Sequence, residues 1–223
     1  MSRTFAIGDI HGCPRALDAL VDQIQPTADD IMVPLGDYVD RGDDSKAVLD
    51  RLLELATRCQ LQPLLGNHEL MLLSALDSAE GLRFWLQCGG AATVESYGGD
   101  LYNISDAHLS FIRSCHRFFE TDDHIFVHAN YDPKLPLDLQ PDRLLFWEHL
   151  MLFDHGMHTI PARHSTGKVA VVGHTPQENG EILDLGDVIC IDTYCFGGGW
   201  LTALEVATGQ IIQADREGNL RYK

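Results

Sequence analysis

No run of apolar residues approaches the roughly 20 needed to cross a bilayer, so the sequence offers no membrane-spanning segment. The amino terminus is equally bare: Met1-Ser2-Arg3 leads straight into strand-like Thr4-Phe5-Ala6-Ile7, without the apolar core or cleavage site of a secretory signal. A cytoplasmic location and no membrane partner are the expectation. Positive charge is scarce. Sixteen Lys and Arg face 33 Asp and Glu, a formal net charge of −17, so a nucleic-acid backbone would be repelled over most of the surface and no nucleic-acid partner is expected. The 6 cysteines form no Cys-x-x-Cys pair, and a chain of this length folds without staples, which predicts reduced, mostly buried thiols. What the sequence does have is 45% apolar residues over 223 positions, enough for one sizeable core and a single domain spanning 1–223.

The first seventy or so residues repeat one pattern: a short apolar run, a glycine with an acidic or amide residue, then a helix-like stretch, which reads as β-α-β-α-β. Phe5-Ala6-Ile7 leads into Gly8-Asp9, Ile31 to Leu35 into Gly36-Asp37, and Leu61 to Leu65 into Gly66-Asn67. Between them, Leu17, Leu20, Val21 and Ile24 recur at helical spacing after Pro14. Val48, Leu52 and Leu55 do so after the possible caps Asp43, Asp44 and Ser45. Pro34 and Pro63 each remove a ladder donor from a run that ought to be central. Residues 70–120 read as a helical insert, with Leu109, Ile112 and Phe119 on one face after a Ser105 cap, broken by Gly89-Gly90 and Gly98-Gly99. Strand signals return in Ile125–Val127, Val169–Val172, Val188–Ile191 and Leu201–Ala214, with a turn at Thr208-Gly209, predicting a second sheet. Residues 132–168 form a proline-containing surface excursion where specificity could reside.

Five predicted strand ends carry a ligand-type residue: Asp9 with His11, Asp37, Asn67 with His68, His128 and His174. Strand ends of an α/β layer converge on one edge. Imidazole and carboxylate suit borderline divalent metals, and an Asp between two ions can bridge them about 3.5 to 4 Å apart. Singly, each residue has an ordinary alternative as a cap or core side chain; together they point to a dinuclear site.

These blocks carry a resemblance. Gly8-Asp9-Ile10-His11-Gly12, Gly36-Asp37-Tyr38-Val39-Asp40-Arg41-Gly42 and Gly66-Asn67-His68-Glu69 resemble, in order and spacing, the signature blocks of calcineurin-like metallophosphoesterases. The complete middle block is similar to that of the phosphoprotein phosphatase group, which includes bacterial serine/threonine phosphatases and the related diadenosine tetraphosphatases. Phe126-Val127-His128-Ala129 and Val172-Gly173-His174-Thr175-Pro176 resemble that group's later histidine motifs, and Ile191-Asp192-Thr193 with Gly198 to Leu204 its carboxyl-terminal sheet. The fold implied is α/β: a four-layer α/β/β/α sandwich of two mixed sheets flanked by helices.

Carried over by position, the resemblance implies that Asp9 and His11 hold one divalent ion, that Asn67, His128 and His174 hold the other, and that Asp37 bridges them. Manganese is the implied metal, with iron or zinc as alternatives. With a bridging hydroxide, two such ions leave the centre about one charge positive inside an acidic protein, a place for a phosphate dianion and for direct in-line attack on phosphorus. His68 is the implied proton donor, oriented by Asp40. Arg41 offers a bidentate fork to phosphate oxygens, and Arg41 and Asn67 are expected to meet the substrate. One departure stands out. Related phosphatases carry a second phosphate-binding arginine shortly after a Leu-x-Trp segment, whereas Leu144-Leu145-Phe146-Trp147 precedes Glu148-His149 here; Arg143, Arg163 or a protonated His149 are the possible substitutes.

His155, His158 and His164 read as surface histidines, Cys13 as a packed thiol, and Gly197-Gly198-Gly199 as a turn, since no Lys-Ser/Thr follows. The activity this implies is a metal-dependent phosphomonoesterase, first a serine/threonine protein phosphatase acting on phosphoproteins or small phosphate esters. Symmetrical hydrolysis of dinucleoside tetraphosphates comes second; it would ask the excursion for base-stacking aromatics and further cations. A catalytically inactive phosphate-sensing module is the third reading, against which the presence of Asp37 and His68 speaks.

Overall fold

The computed structural model describes residues 2–150 and 162–222. The opening β-α-β-α-β order is realised as β1 (Thr4–Ile7), α1 (Pro14–Ile24), β2 (Ile31–Pro34), α2 (Ser45–Leu55) and β3 (Gln60–Leu61). Pro14 opens α1, where a missing N–H costs nothing, and Asp44 caps α2 by accepting from the Ala47 N–H at 2.9 Å. The third strand is shorter than the Leu61–Leu65 run predicts. The Pro34 carbonyl accepts from Leu64 at 2.9 Å, but Pro34 has no N–H to return and neither does Pro63, so regular pairing stops at Leu61.

The insert folds as α3 (Asn67–Asp77), α4 (Ala79–Trp85), a π-helical turn (Leu86–Gly90), α5 (Ala91–Ser96) and α6 (Asp106–Ser114), the last capped by Ser105 as expected. Phe119 departs from its predicted place on that helix face. It lies in β4 (Phe118–Glu120), opposite Phe126 of β5 (His124–Val127), where the two rings meet at 5.9 Å. Adjacent aromatics favour a pleated strand, and their apparent helical spacing with Leu109 and Ile112 is coincidental. The excursion contains α7 (Asp142–Trp147); β6 (Val169–Val172), β7 (Leu183–Asp184), β8 (Val188–Cys190), β9 (Asp192–Thr193), β10 (Trp200–Glu205) and β11 (Gln210–Ala214) follow.

Two mixed sheets result. One has the order β11-β10-β1-β2-β3 with β9 on β10, the other β4-β5-β6-β8-β7. Strand residues alternate between faces, and here both faces are buried. Ala6, Val33, Leu35, Phe126, Val171 and Leu204 pack between the sheets. Phe5, Ile7, Met32, Leu201 and Ala203 turn outward onto α1, α2 and the insert, while Ile125, Val127, Ala170 and Val172 face α7 and its neighbours. This alternation makes the α/β/β/α layering, and it explains why the strands read as continuous apolar runs rather than as alternating ones. No helix among the described residues is long and apolar enough to cross a membrane.

Candidate metal centre and active site

Nine predicted residues meet where the two sheets end. Asp9 and His11 follow β1, Asp37, Asp40 and Arg41 follow β2, Asn67 and His68 open α3 just beyond β3, His128 follows β5, and His174 follows β6. The backbone there is strained. Of seven non-glycine residues with left-handed φ among the described residues, five are His11 (41°), Asp37 (52°), Asp40 (74°), Arg41 (67°) and His174 (61°). Each such position costs about 1–3 kcal/mol and persists only where its surroundings over-determine it, as they do at functional sites.

The histidine tautomers test whether cations fit. His128 Nδ1–H donates to the Leu35 carbonyl and His11 Nδ1–H to the Val39 carbonyl, each at 2.9 Å, so both rings aim an Nε2 lone pair inward. Those lone pairs face Asp37 from two sides, Oδ2 at 3.4 Å from His11 Nε2 and Oδ1 at 3.4 Å from His128 Nε2. His174 Nδ1 lies 3.2 Å from His128 Nε2. Burial pushes His11 down to about 3, and His174 likewise, with His128 adding to the drop there. Neutral imidazoles and an ionised carboxylate, acceptor facing acceptor, are what a pair of cations would resolve.

Asn67 adapts to either state. With its amide nitrogen inward it donates to His128, Asp37 and His174 at 3.1 to 3.3 Å, and turned over it offers the oxygen a cation would take. Two ions would thus be held by Asp9, His11 and Asp37, and by Asp37, Asn67, His128 and His174. Asp9 is itself braced, both carboxylate oxygens accepting from the His174 N–H at 3.1 Å. Burial, then Asp192 and Asp37, raise its pKa, the mark of carboxylates crowded without counter-charge.

By distance alone His68, not Asp9, completes a three-ligand set with His11 and Asp37. Electrostatics separates it from the ligands. His68 Nδ1 bonds Asp40 Oδ2 at 2.7 Å, and its pKa is raised: burial opposes, but Asp37 and then Asp40 outweigh it. The shifts run in opposite directions within one cluster, down at His11, His128 and His174 and up at His68, the pattern by which neighbouring titratable groups are set apart for different roles. Asp40 is no ordinary turn carboxylate. It also accepts from Trp85 Nε1 (2.8 Å) and Thr93 Oγ1 (2.7 Å), both contributed by the helical insert. Arg41 Nη1 donates to His11 Nε2 at 3.1 Å, its guanidinium lying 4.8 Å over Phe196. The insert supports this residue too: the Gly89 carbonyl accepts from the Arg41 N–H, and a Cβ at Gly89, where φ is 113°, would fall 2.8 Å from the Arg41 side chain.

Several participants escape a reading of the sequence. Asp192, buried at the start of β9, has its pKa raised to about 7 by burial and by Asp37. Glu69 is fully buried and accepts from the N–H groups of Asp37, Tyr38, Val39 and Gly66 at 2.8 to 3.3 Å, tying the second signature block to the third. Glu69→Gln turns an amide NH₂ toward some of these donors. It is expected to cost about 2–4 kcal/mol of stability and to weaken metal binding about 10- to 100-fold, read by denaturant unfolding and metal titration.

Of the three substitutes for a second arginine, Arg143 is engaged by Glu148 and Arg163 by Asp187 at 2.6 Å, while His149 stacks on His174 with ring centroids 4.6 Å apart. His164 is not on the surface as expected. It is buried, donating to the Leu135 carbonyl (2.8 Å), with Nδ1 bonded to Thr166. His155 and His158 lie outside the described residues. Cys13 is buried, and Gly197-Gly198-Gly199 forms the turn between β9 and β10.

A two-sheet sandwich with two carboxylate-imidazole sets sharing one aspartate defines a metal-dependent phosphoesterase. A family model for calcineurin-like phosphoesterases matches residues 2–203, and the chain belongs to that family, whose members use a dinuclear metal centre. It is 26% identical to a symmetrical bis(5'-nucleosyl)-tetraphosphatase of Janthinobacterium sp. (strain Marseille), over 94% of this chain and 95% of that one. It is 32% identical to serine/threonine-protein phosphatase 2 of Escherichia coli (strain K12), over 57% and 58%. The match to the tetraphosphatase of Acidovorax sp. (strain JS42) reaches 47% identity but spans a quarter (25%) of that protein's length. A crystal structure described as a candidate diadenosine tetraphosphatase superposes with a TM-score of 0.74 over 95% of this chain and 92% of its own, at 20% identity, which establishes the shared fold.

Proposed function

We propose that this phosphoesterase hydrolyses dinucleoside tetraphosphates symmetrically, with phosphoprotein monoester hydrolysis as the second reading, reversing the order the sequence alone suggests. The observation that carries hydrolysis is Asp37 between two acceptor sets, with His68 alongside, held at Nδ1 by Asp40 and raised in pKa by Asp37 and Asp40. When bound, the two ions would supply an activated water and neutralise charge on the phosphate oxygens. The chain's own residues do the rest. Arg41 grips phosphate oxygens, Asp40 holds the His68 ring through Nδ1, and His68 Nε2–H gives its proton to the departing oxygen.

The substrate assignment leans on the Janthinobacterium tetraphosphatase, which is similar along nearly its whole length. One observation favours the second reading: Arg41 is the one guanidinium bonded to the ligand cluster among the described residues, ample for a single phosphate and thin for a tetraphosphate chain. Parallel assays of the manganese-loaded protein on diadenosine tetraphosphate and on a phosphoserine peptide decide between them. ADP as the sole nucleotide product, with the higher kcat/KM, is expected; a higher kcat/KM on the peptide reverses the order.

A further inference from the structure

Beside the metal centre, between α3 and α4 and closed by the end of α7, lies a cavity of about 190 Å³ lined by Leu70, Met71, Ser74, Gly81, Phe84 and Trp147. Two of the elements that line it also carry or adjoin residues of the candidate site. Leu70 and Met71 stand three residues beyond Asn67 and His68 on α3, the spacing that places side chains on one helix face. Trp147 immediately precedes Glu148-His149, and the His149 ring is stacked on His174. The walls carry no charge. Two large aromatics, Phe84 and Trp147, are nevertheless left 51% and 39% exposed at it.

Size and chemistry limit what could enter. Clefts that enclose a whole drug-sized ligand run to about 300–1,000 Å³; this one takes part of a substrate, an uncharged flat ring. In a protein of net charge −17, with one arginine bonded to the metal cluster among the described residues, the phosphates beyond the centre find little positive charge, so contacts to the neutral part of the molecule would add the affinity that distinguishes a dinucleotide. Gly81 lets α4 pack closely on α3 at the cavity wall: a Cβ there would fall 2.3 Å from the Ser74 carbonyl oxygen.

We propose that the Phe84–Trp147 cavity is the leaving-group subsite, receiving the nucleobase of a dinucleotide and setting the preference for nucleotides over alkyl phosphates. The proposal rests on the tetraphosphatase reading and deepens it. It is the aromatic platform that reading asks of the excursion, completed by a residue of the helical insert.

The test compares diadenosine tetraphosphate with inorganic tripolyphosphate, which has the same anhydride linkage and no base. In Phe84→Leu and Trp147→Leu, the ratio of kcat/KM for the dinucleotide to that for tripolyphosphate is expected to fall on the order of 10- to 100-fold, with Trp147→Phe recovering most of it. A ratio within twofold of wild type in both leucine variants overturns the subsite while leaving the tetraphosphatase reading intact. Should the wild type not cleave the dinucleotide, that reading fails, and a second measurement judges the cavity. Adenosine titrated into the metal-loaded protein should saturably quench tryptophan fluorescence, and the quench should vanish in Trp147→Phe and weaken in Phe84→Leu; no quench overturns the proposal. It is equally overturned if the leucine variants lose activity selectively on a phosphotyrosine peptide and not on the dinucleotide, since the occupant is then a tyrosyl ring.

Discussion

Asp37→Asn is expected to lower kcat by about 10³- to 10⁴-fold, roughly 4–5.5 kcal/mol of transition-state stabilisation, while the protein stays folded. The carboxylate presents Oδ1 toward His128 and Oδ2 toward His11, so each ligand set takes one oxygen. An amide has a single oxygen and no charge. Whichever way it turns, one set faces an NH₂ donor, and the negative charge between the sets is lost. The backbone tolerates the change, because φ is 52° and asparagine, like aspartate, is among the few side-chain residues enriched there. The Asp37 carbonyl still accepts from the Ile10 and His11 N–H groups, its N–H still donates to Glu69, and a retained Oδ1 still accepts from His68 N–H. With manganese, the variant's gain in Tm should be much smaller than that of the wild type. Metal content, turnover and melting on one preparation check this. Two ions per chain and turnover within tenfold of wild type would overturn the bridging role.

The candidate ligands are legible in the sequence because the fold needs only local signals to place them. Each strand is a short apolar run, each ends in a glycine or polar block, and strand ends of a layered sheet must meet. Asp9, Asp37, Asn67, His128 and His174 therefore read as one cluster before any coordinates exist. The groups that hold the catalytic side chains in place carry no such signal. Trp85 and Thr93 reach Asp40 across 45 and 53 residues, and nothing near them distinguishes a buried tryptophan that donates a hydrogen bond from one that merely packs. Glu69 sits in plain view beside His68, yet three of its four amide donors, Asp37, Tyr38 and Val39, come from a turn whose left-handed backbone at Gly36 and Asp37 only the folded chain displays. The helical insert thus reads as an appendage, whereas in the structure its Trp85 and Thr93 bond the Asp40 carboxylate that holds the His68 ring. Its Gly89-Gly90 break is the available hint: a glycine pair inside a helical stretch has a packing or functional reason, and here it ends the π-helical turn Leu86–Gly90.

His68→Gln should separate proton donation from every other use of that position. The side chain is anchored at Nδ1 by an Asp40 carboxylate that Trp85 and Thr93 also hold, leaving Nε2 directed into the site 4.0 Å from Asp37 Oδ2. A general acid matters in proportion to the basicity of the oxygen it protonates. For a phosphoserine peptide, whose leaving alkoxide is strongly basic, kcat should fall by about 10²- to 10⁴-fold; for p-nitrophenyl phosphate, whose leaving phenolate is stable unprotonated, by about 10-fold or less. The anhydride of a dinucleoside tetraphosphate releases a phosphate oxygen of low basicity and should sit near the aryl ester. Glutamine can still donate an amide N–H toward Asp40, so the pocket need not collapse, but it has no proton to surrender. Equal losses on all substrates would deny His68 the role of acid, and metal analysis then names its role: one ion missing would make it a ligand of the His11–Asp37 set, as distance alone allows, and both present would make it a positioning residue. The substrate-dependent split is the expected result because His68 is the one imidazole of the cluster whose surroundings raise its pKa, while burial pushes His11, His128 and His174 the other way.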